Sequence, residues 1–210
     1  MSGPRPWPFG SLIPFYFDVV MADPPWAWAT YSDKGKAKSP EAQYRTMSLD
    51  EIADLPVGDL LAPAGVLFLW CTWPLIHKQT RLPERWGLEV KTGGTWAKRT
   101  ASGKLRWGPG YLLRSVCEPF VICTLPGSGL RGASEPNRIE TIFPNGFELD
   151  GLAREHSRKP DEAFALLERA LPDARRLELF SRQTREGWTS WGNEATKFDG
   201  AAACPSTGSG

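Results

Sequence analysis

The 210-residue sequence predicts a single α/β domain with a mostly parallel sheet and helices on both of its faces. Three observations carry this expectation. Short apolar runs rich in β-branched and aromatic residues recur along the chain, one of them apolar on both faces as a central parallel strand should be. Segments with helix-start signals fall between these runs, and strand alternating with helix is the pattern of parallel-sheet domains. No internal repeat or linker-like stretch interrupts them, so one core is expected.

The elements follow in order. The run from Phe15 to Ala22 is the first strand, and it stops abruptly at Asp23-Pro24-Pro25. Ser48 to Leu55 opens with Ser and has Glu51 three residues on, a capping-box signature. Gly65 to Cys71 is the run apolar on both faces. A helix is expected over Leu75 to Trp86, broken or kinked at Pro83. Strand-like runs return at Val90 to Lys98, Pro119 to Leu125 and Leu177 to Ser181. Between the last two, Pro160 at a first helical position opens a helix through Leu171, with Asp161 and Glu162 at the positive end of its dipole. Residues 1–10, rich in Pro and Gly, and residues 199–210, small and polar, read as flexible ends around a domain spanning 11–198.

Composition sets outer limits. Net charge is +1, so affinity for a nucleic acid must come from local patches. Ten Trp residues invite a stacking role, although core packing accounts for most tryptophans. Cysteines 71, 117, 123 and 204 form no CxxC pair, and three of them read as buried free thiols of a reducing cytosol. His77 and His156 are the only histidines, so no metal site is expected. No apolar stretch approaches the ~20 residues of a membrane span, and the N-terminus lacks a signal-peptide pattern. A cytoplasmic location is expected.

Ligands of open α/β sheets bind beyond the carboxyl ends of the strands. That rule nominates the loop starting at Asp23 and the loop after Phe180. Two prolines make the first loop stiff and give it no amide donors, so its carbonyls are open to accept hydrogen bonds. An exocyclic amine on an aromatic ring is a poor nucleophile, because its lone pair is delocalised. Acceptors aimed at its hydrogens favour the pyramidal form that reacts, and Asp23 with the Pro24 carbonyl could supply them. Trp26 could stack on a flipped base, a contact worth roughly 1–3 kcal/mol. A plain turn with Trp26 in the core is the alternative.

The segment from Asp18 to Trp26 resembles the active-site strand and DPPW loop of the MT-A70 family of S-adenosylmethionine-dependent adenine N(6)-methyltransferases. The resemblance continues in order through Tyr44-Arg45-Thr46-Met47-Ser48, Val66 to Trp70, Thr95 to Lys98, Gly108 to Glu118, His156 to Glu162, Leu177 to Phe180 and Gly192-Asn193-Glu194. It covers about Phe17 to Glu194 and implies a Rossmann-like domain whose catalytic motif (Asp23, Pro24, Pro25, Trp26) precedes the cofactor strand. No GxGxxG turn is present, and Leu179 to Arg185 replaces it. On this resemblance Lys159 and Arg182 pair with the carboxylate of S-adenosylmethionine, Asn193 meets its ribose with Glu194 nearby, and Thr184 lies beside them. Thr184 and Arg185 depart from the His and Asn common in close relatives.

On the acceptor side, residues 91–114 hold six Lys or Arg and no Asp or Glu, with glycines and aromatics interleaved. This is the composition of a loop that grips a nucleic-acid strand, and a solvated hairpin is its alternative. Trp96, Lys98 and Arg114 belong to this stretch, Tyr44 could line the base pocket, and Glu118 with Arg114 is implied to link the acceptor and cofactor sites. Lys34, Lys36, Lys38 and Arg131 lie on further loops that could touch a backbone.

The expected function is methylation of adenine N(6) in nucleic acid, DNA before RNA, by a compact enzyme of bacterial or phage type. A catalytically silent nucleic-acid-binding subunit is the first rival, and a different acceptor, such as cytosine N(4) or a small molecule, is the second. A homodimer or a heteromeric methyltransferase partner is left open.

Overall fold

The computed structural model describes residues 6–27, 46–108, 112–128, 149–154 and 158–200. Tyr44, the lysines at 34, 36 and 38, Arg131, His156, Cys204 and the final ten residues lie outside this set.

Seven strands form one sheet in the order β5-β3-β4-β2-β1-β6-β7. They are β1 (Phe17–Ala22), β2 (Leu61–Trp70), β3 (Glu89–Arg99), β4 (Cys117–Thr124), β5 (Leu149–Leu152), β6 (Arg176–Leu179) and β7 (Trp188–Trp191). Only β4 runs against the others: it pairs antiparallel with both β2 and β3, while every other neighbouring pair is parallel. The expected mostly parallel sheet is therefore present.

Alternation along β1 explains the two-faced core. Val19 and Met21 point to one side with Val66, Phe68 and Trp70 of β2, where Ala163, Phe164 and Leu167 of helix α4 (Asp161–Ala170) cover them. Val20 and Ala22 point to the other side with Leu67, Leu69 and Cys71, beneath Ile52 and Ala53 of α1 (Leu49–Ala53) and Leu82 of α3 (Leu82–Arg85). The stripe on α4 falls at the three- and four-residue spacing of an amphipathic helix. Ser48 closes a full capping box with Glu51 over α1, as the sequence suggests.

Several expectations need correction. The helix expected from Leu75 to Trp86 is two short ones, α2 (Ile76–Gln79) and α3, and the break falls at Thr80-Arg81 rather than at Pro83. Pro83 sits in the first turn of α3, where its missing N–H is tolerated. Pro160 caps α4 in an extended conformation instead of occupying its first helical position. The strand expected over Leu177 to Ser181 stops at Leu179 as β6, because Phe180 turns the chain at φ 65°. Trp7 and Phe9, in the segment read as loose, pack on the core, and Phe9 is buried against Trp191. Cys71 and Cys123 are buried, and burial pushes both thiols up to about 12, whereas Cys117 is half-buried. No helix among the described residues is long and apolar enough to cross a membrane.

Candidate active site

Topology creates the crevice. From β1 the chain crosses to β2 on one side, while from β6 it crosses to β7 on the other. The carboxyl ends of β1 and β6 thus flank a switch point, the position at which open α/β sheets bind ligands. A cleft lies there, lined by Asp23, Arg158, Lys159, Phe164, Glu178, Phe180, Arg182, Gln183, Arg185 and Phe198.

Asp23 is the first residue beyond β1, and its N–H reaches the Leu179 carbonyl of β6 at 3.4 Å. Pro24 and Pro25 then end the ladder because neither has an N–H. The turn is closed locally: Trp26 N–H donates to the Pro24 carbonyl at 2.8 Å and Met47 N–H to the Pro25 carbonyl at 2.8 Å. The carbonyls are thus not wholly open, although Pro24 keeps one lone pair. Trp26 is 6% exposed and packs in the core, so its ring is no platform for a flipped base.

The chemistry centres on a buried ion cluster. Lys159 places its ammonium 2.9 Å from Asp23 Oδ2 and 2.6 Å from Glu118 Oε1, and Lys98 lies 2.7 Å from Glu118 Oε2. The reversed β4 makes this meeting possible. Its first residues lie at the same edge as the last residues of the parallel strands, so Glu118 and Lys98 arrive beside Asp23. Lys159 precedes a proline, which biases it to an extended backbone, and its ammonium also sits 5.4 Å from the Trp70 ring centroid.

The two carboxylates are not equivalent. Burial pushes the Asp23 carboxyl up, opposed by Lys159, with the Glu118 charge adding to the rise. Burial also raises Glu118, but Lys159 and Lys98 outweigh it and hold that group at about 2. For Lys159, burial favours loss of the proton, yet Asp23 and Glu118 outweigh it and keep the ammonium charged. Of these two, Asp23, which shares its one ammonium with Glu118, is the better able to take up a proton.

Lys159 spends two of its three N–H donors on Asp23 and Glu118, and it lines the cleft with one donor remaining. Arg182 lines the cleft, 3.7 Å from Glu194, which also binds Lys197 at 2.7 Å. Both polar groups of Thr184 go to Asp199, and Asn193 is exposed. On the acceptor side Trp96 is 3% exposed and donates to the Gly151 carbonyl, which makes it core. Arg114 does not reach Glu118; its guanidinium lies over Trp107 and donates to the Gly108 carbonyl at 3.4 Å.

Sequence reasoning missed Glu178 and Arg158. Burial raises Glu178 to about 7 against a hydrogen bond from Ser181 Oγ at 3.0 Å. A charged residue inside a β-strand that ends at the expected site was the available signal. Because the folded group holds its proton above the ordinary carboxylate range, its contribution is full below about pH 4.5 and falls as pH rises toward 7. Glu178→Gln should remove that slope, raising stability at pH 8 relative to the parent by at most roughly 3 kcal/mol, since one pKa unit is about 1.4 kcal/mol. Urea melts across pH 4.5–8 measure it, and parallel curves for the two proteins would refute the assignment.

Gly192 packs against the backbone of Ser181, between the cleft residues Phe180 and Arg182. A Cβ there would stand 2.7 Å from the Ser181 carbonyl oxygen and 2.9 Å from its nitrogen, so β7 and the loop after β6 approach too closely for any side chain. Gly192→Ala should cost about 1–3 kcal/mol through backbone displacement. It should also loosen cofactor binding, readable by calorimetry; unchanged stability and affinity would contradict this reading.

Comparison with known proteins agrees with this architecture. The MT-A70 family model matches residues 17–194. The chain is 36% identical over 183 residues to an Arabidopsis thaliana N(6)-adenosine-methyltransferase MT-A70-like protein, covering 85% of this chain and 24% of that one. It is 31% identical over 192 residues to the N6-methyladenosine RNA methyltransferase MTA1 of Cryphonectria parasitica, covering 87% and 52%. It is 29% identical over 196 residues to the type II methyltransferase M.MunI of a Mycoplasma species, covering 85% and 77%. The chain thus spans a quarter to a half of the first two relatives, and the match of the family model over residues 17–194 makes it a member of the MT-A70 family.

Proposed function

We propose that the protein transfers a methyl group from S-adenosylmethionine to the exocyclic N(6) amine of adenine in DNA. The observation that carries this reading is Asp23: a buried carboxylate on a proline-stiffened turn at the switch point, sharing one ammonium with Glu118. The cleft suits the cofactor. It sets cations (Arg158, Arg182) beside acids (Asp23, Glu178) and three phenylalanines, which matches a zwitterion carrying an adenosyl group. When bound, S-adenosylmethionine supplies a methyl group on a positively charged sulfur.

The chain's own residues do the rest. Asp23 and the remaining lone pair on the Pro24 carbonyl accept hydrogen bonds from the adenine amine, drawing its nitrogen toward the pyramidal form. As that nitrogen gains the methyl group it must lose one proton, and Asp23 is the group with raised proton affinity placed to take it. Lys159 fixes the Asp23 carboxylate, and Glu118 and Lys98 hold Lys159. Arg182 and Arg158 hold the cofactor carboxylate, with Asn193 and Glu194 on the ribose side.

DNA is the acceptor in this reading because the type II methyltransferase is the relative spanned most fully of the three. The three described cysteines are unpaired, which suits a cytoplasmic setting. Purified protein with labelled cofactor should modify adenine in unmethylated DNA, read by nucleoside mass spectrometry, with RNA as the second arm. Methylation of RNA alone would move the acceptor; methylcytosine or no product would end the adenine assignment.

A further inference from the structure

The β3–β4 hairpin springs directly from the ion cluster, since Lys98 ends one of its arms and Glu118 begins the other. Beyond the stem it folds twice. Residues 100–106 make a tight turn back on β3, with Arg106 N–H on the Lys98 carbonyl at 2.7 Å. A second loop then closes at its neck, where Gly108 N–H meets the Ser115 carbonyl at 2.7 Å. This loop carries Leu112 and Leu113, 97% and 86% exposed. Trp107, also exposed, stands at the neck under the Arg114 guanidinium, 5.6 Å from its ring centroid.

Two adjacent leucines fully in water on a closed loop have no role in the fold, and an exposed apolar tip marks a contact. Charge selects the partner. Val90 to Cys117 holds six Lys or Arg and no acid; as the whole chain is +1, the remainder is −5. The tip thus projects from the one strongly cationic element of an otherwise acidic chain, the polarity that draws a polyanion. Leu113 lies five positions before Glu118, so the tip lies within about 20 Å of the cluster at full extension.

The geometry points to a wedge: Leu112 and Leu113 enter a duplex beside the target adenine, fill the space it leaves in the stack, and let it reach Asp23. Apolar wedges between base steps unstack them in just this way, and a base must leave the helix before its edge can be modified. Cations of the hairpin hold the flanking phosphates. This inference rests on the adenine methyltransferase reading and adds that the enzyme opens duplexes itself.

The test compares the parent with the double variant L112S/L113S, whose sites are solvent-exposed and whose fold should be unchanged. Substrates are sheared, N(6)-unmethylated genomic DNA as duplex and the same DNA heat-denatured, with methyl transfer from labelled cofactor as one readout. The second readout, independent of chemistry, is permanganate reactivity of unpaired thymines in a plasmid incubated with each protein. The wedge predicts that the variant loses at least tenfold in rate on duplex, stays within twofold on denatured DNA, and abolishes the permanganate signal. Equal duplex rates for variant and parent would overturn it. So would a parent active on denatured DNA only, or a parent giving no permanganate signal. A parent that opens thymines yet methylates no nucleic acid would instead sink the methyltransferase reading and leave the wedge standing. Rates falling together on both substrates, with an oligomer lost in sedimentation, would make the tip a protein interface and overturn the wedge.

Discussion

Asp23→Ala is expected to lower methyl transfer by about 10²-fold or more, the scale of losing one positioned group at a developing charge. The protein should remain folded. Removing this carboxylate leaves Lys159 paired with Glu118 at 2.6 Å, so no buried cation is stranded. Cofactor binding by calorimetry should change little, because the cationic wall of the cleft, Arg158 and Arg182, is untouched. Asp23→Asn should behave similarly, since it keeps an acceptor oxygen but cannot take up the proton. Turnover retained in either variant would remove Asp23 from the reaction.

The larger structural effect belongs to Lys159→Met. This ammonium neutralises two buried carboxylates at once, and breaking a buried ion pair by deleting one partner typically costs about 3–5 kcal/mol. The activity profile should move as well. In the proposed reaction Asp23 acts ionised, so the rate should fall as pH drops through its pKa. Lys159 is the main influence holding that value down against burial and against Glu118, and without it the acid limb should begin at a higher pH. Denaturation at pH 7 measures the stability loss, and a pH–rate profile of whatever folded variant is recovered measures the shift. A stable variant with the parent's acid limb would show that the shared ammonium governs neither property. Glu118 adds a separate signature in the parent. Its carboxyl is held at about 2, so its contribution to stability is full above the ordinary carboxylate value and disappears as pH falls toward 2.

Much of the frame was legible because its strands are long and apolar. β1, β2 and β4 announce themselves by apolar runs, and two prolines fix the end of β1 to the residue. β5 and β7 were not legible. Each is a four-residue edge strand, and Trp188-Thr189-Ser190-Trp191 carries no more pattern than a loop. Of the site, Asp23 could be read from its position after a strand and before two prolines. Its bond to Lys159 could not, since those residues are 136 positions apart and meet only through the sheet. Trp26 and Trp96 show the complementary limit. Residue type made them candidates for stacking, but whether an indole faces solvent is set by the neighbours of its strand, and both rings are buried. The exposed ring at the acceptor hairpin is Trp107, two residues beyond a turn that sequence leaves undetermined.

The reversed strand β4 separates two tasks that a parallel strand would have merged. The hairpin stem brings Lys98 of β3 and Glu118 of β4 into the ion cluster, while residues 100–108 and 112–116 lie beyond the paired register. That segment can lengthen, shorten or be exchanged while the stem register from Thr95–Pro119 to Ala97–Cys117 stays intact. Recognition is thereby modular with respect to chemistry. Grafting a hairpin from another family member onto this stem should transplant its choice of substrate and leave methyl transfer in place.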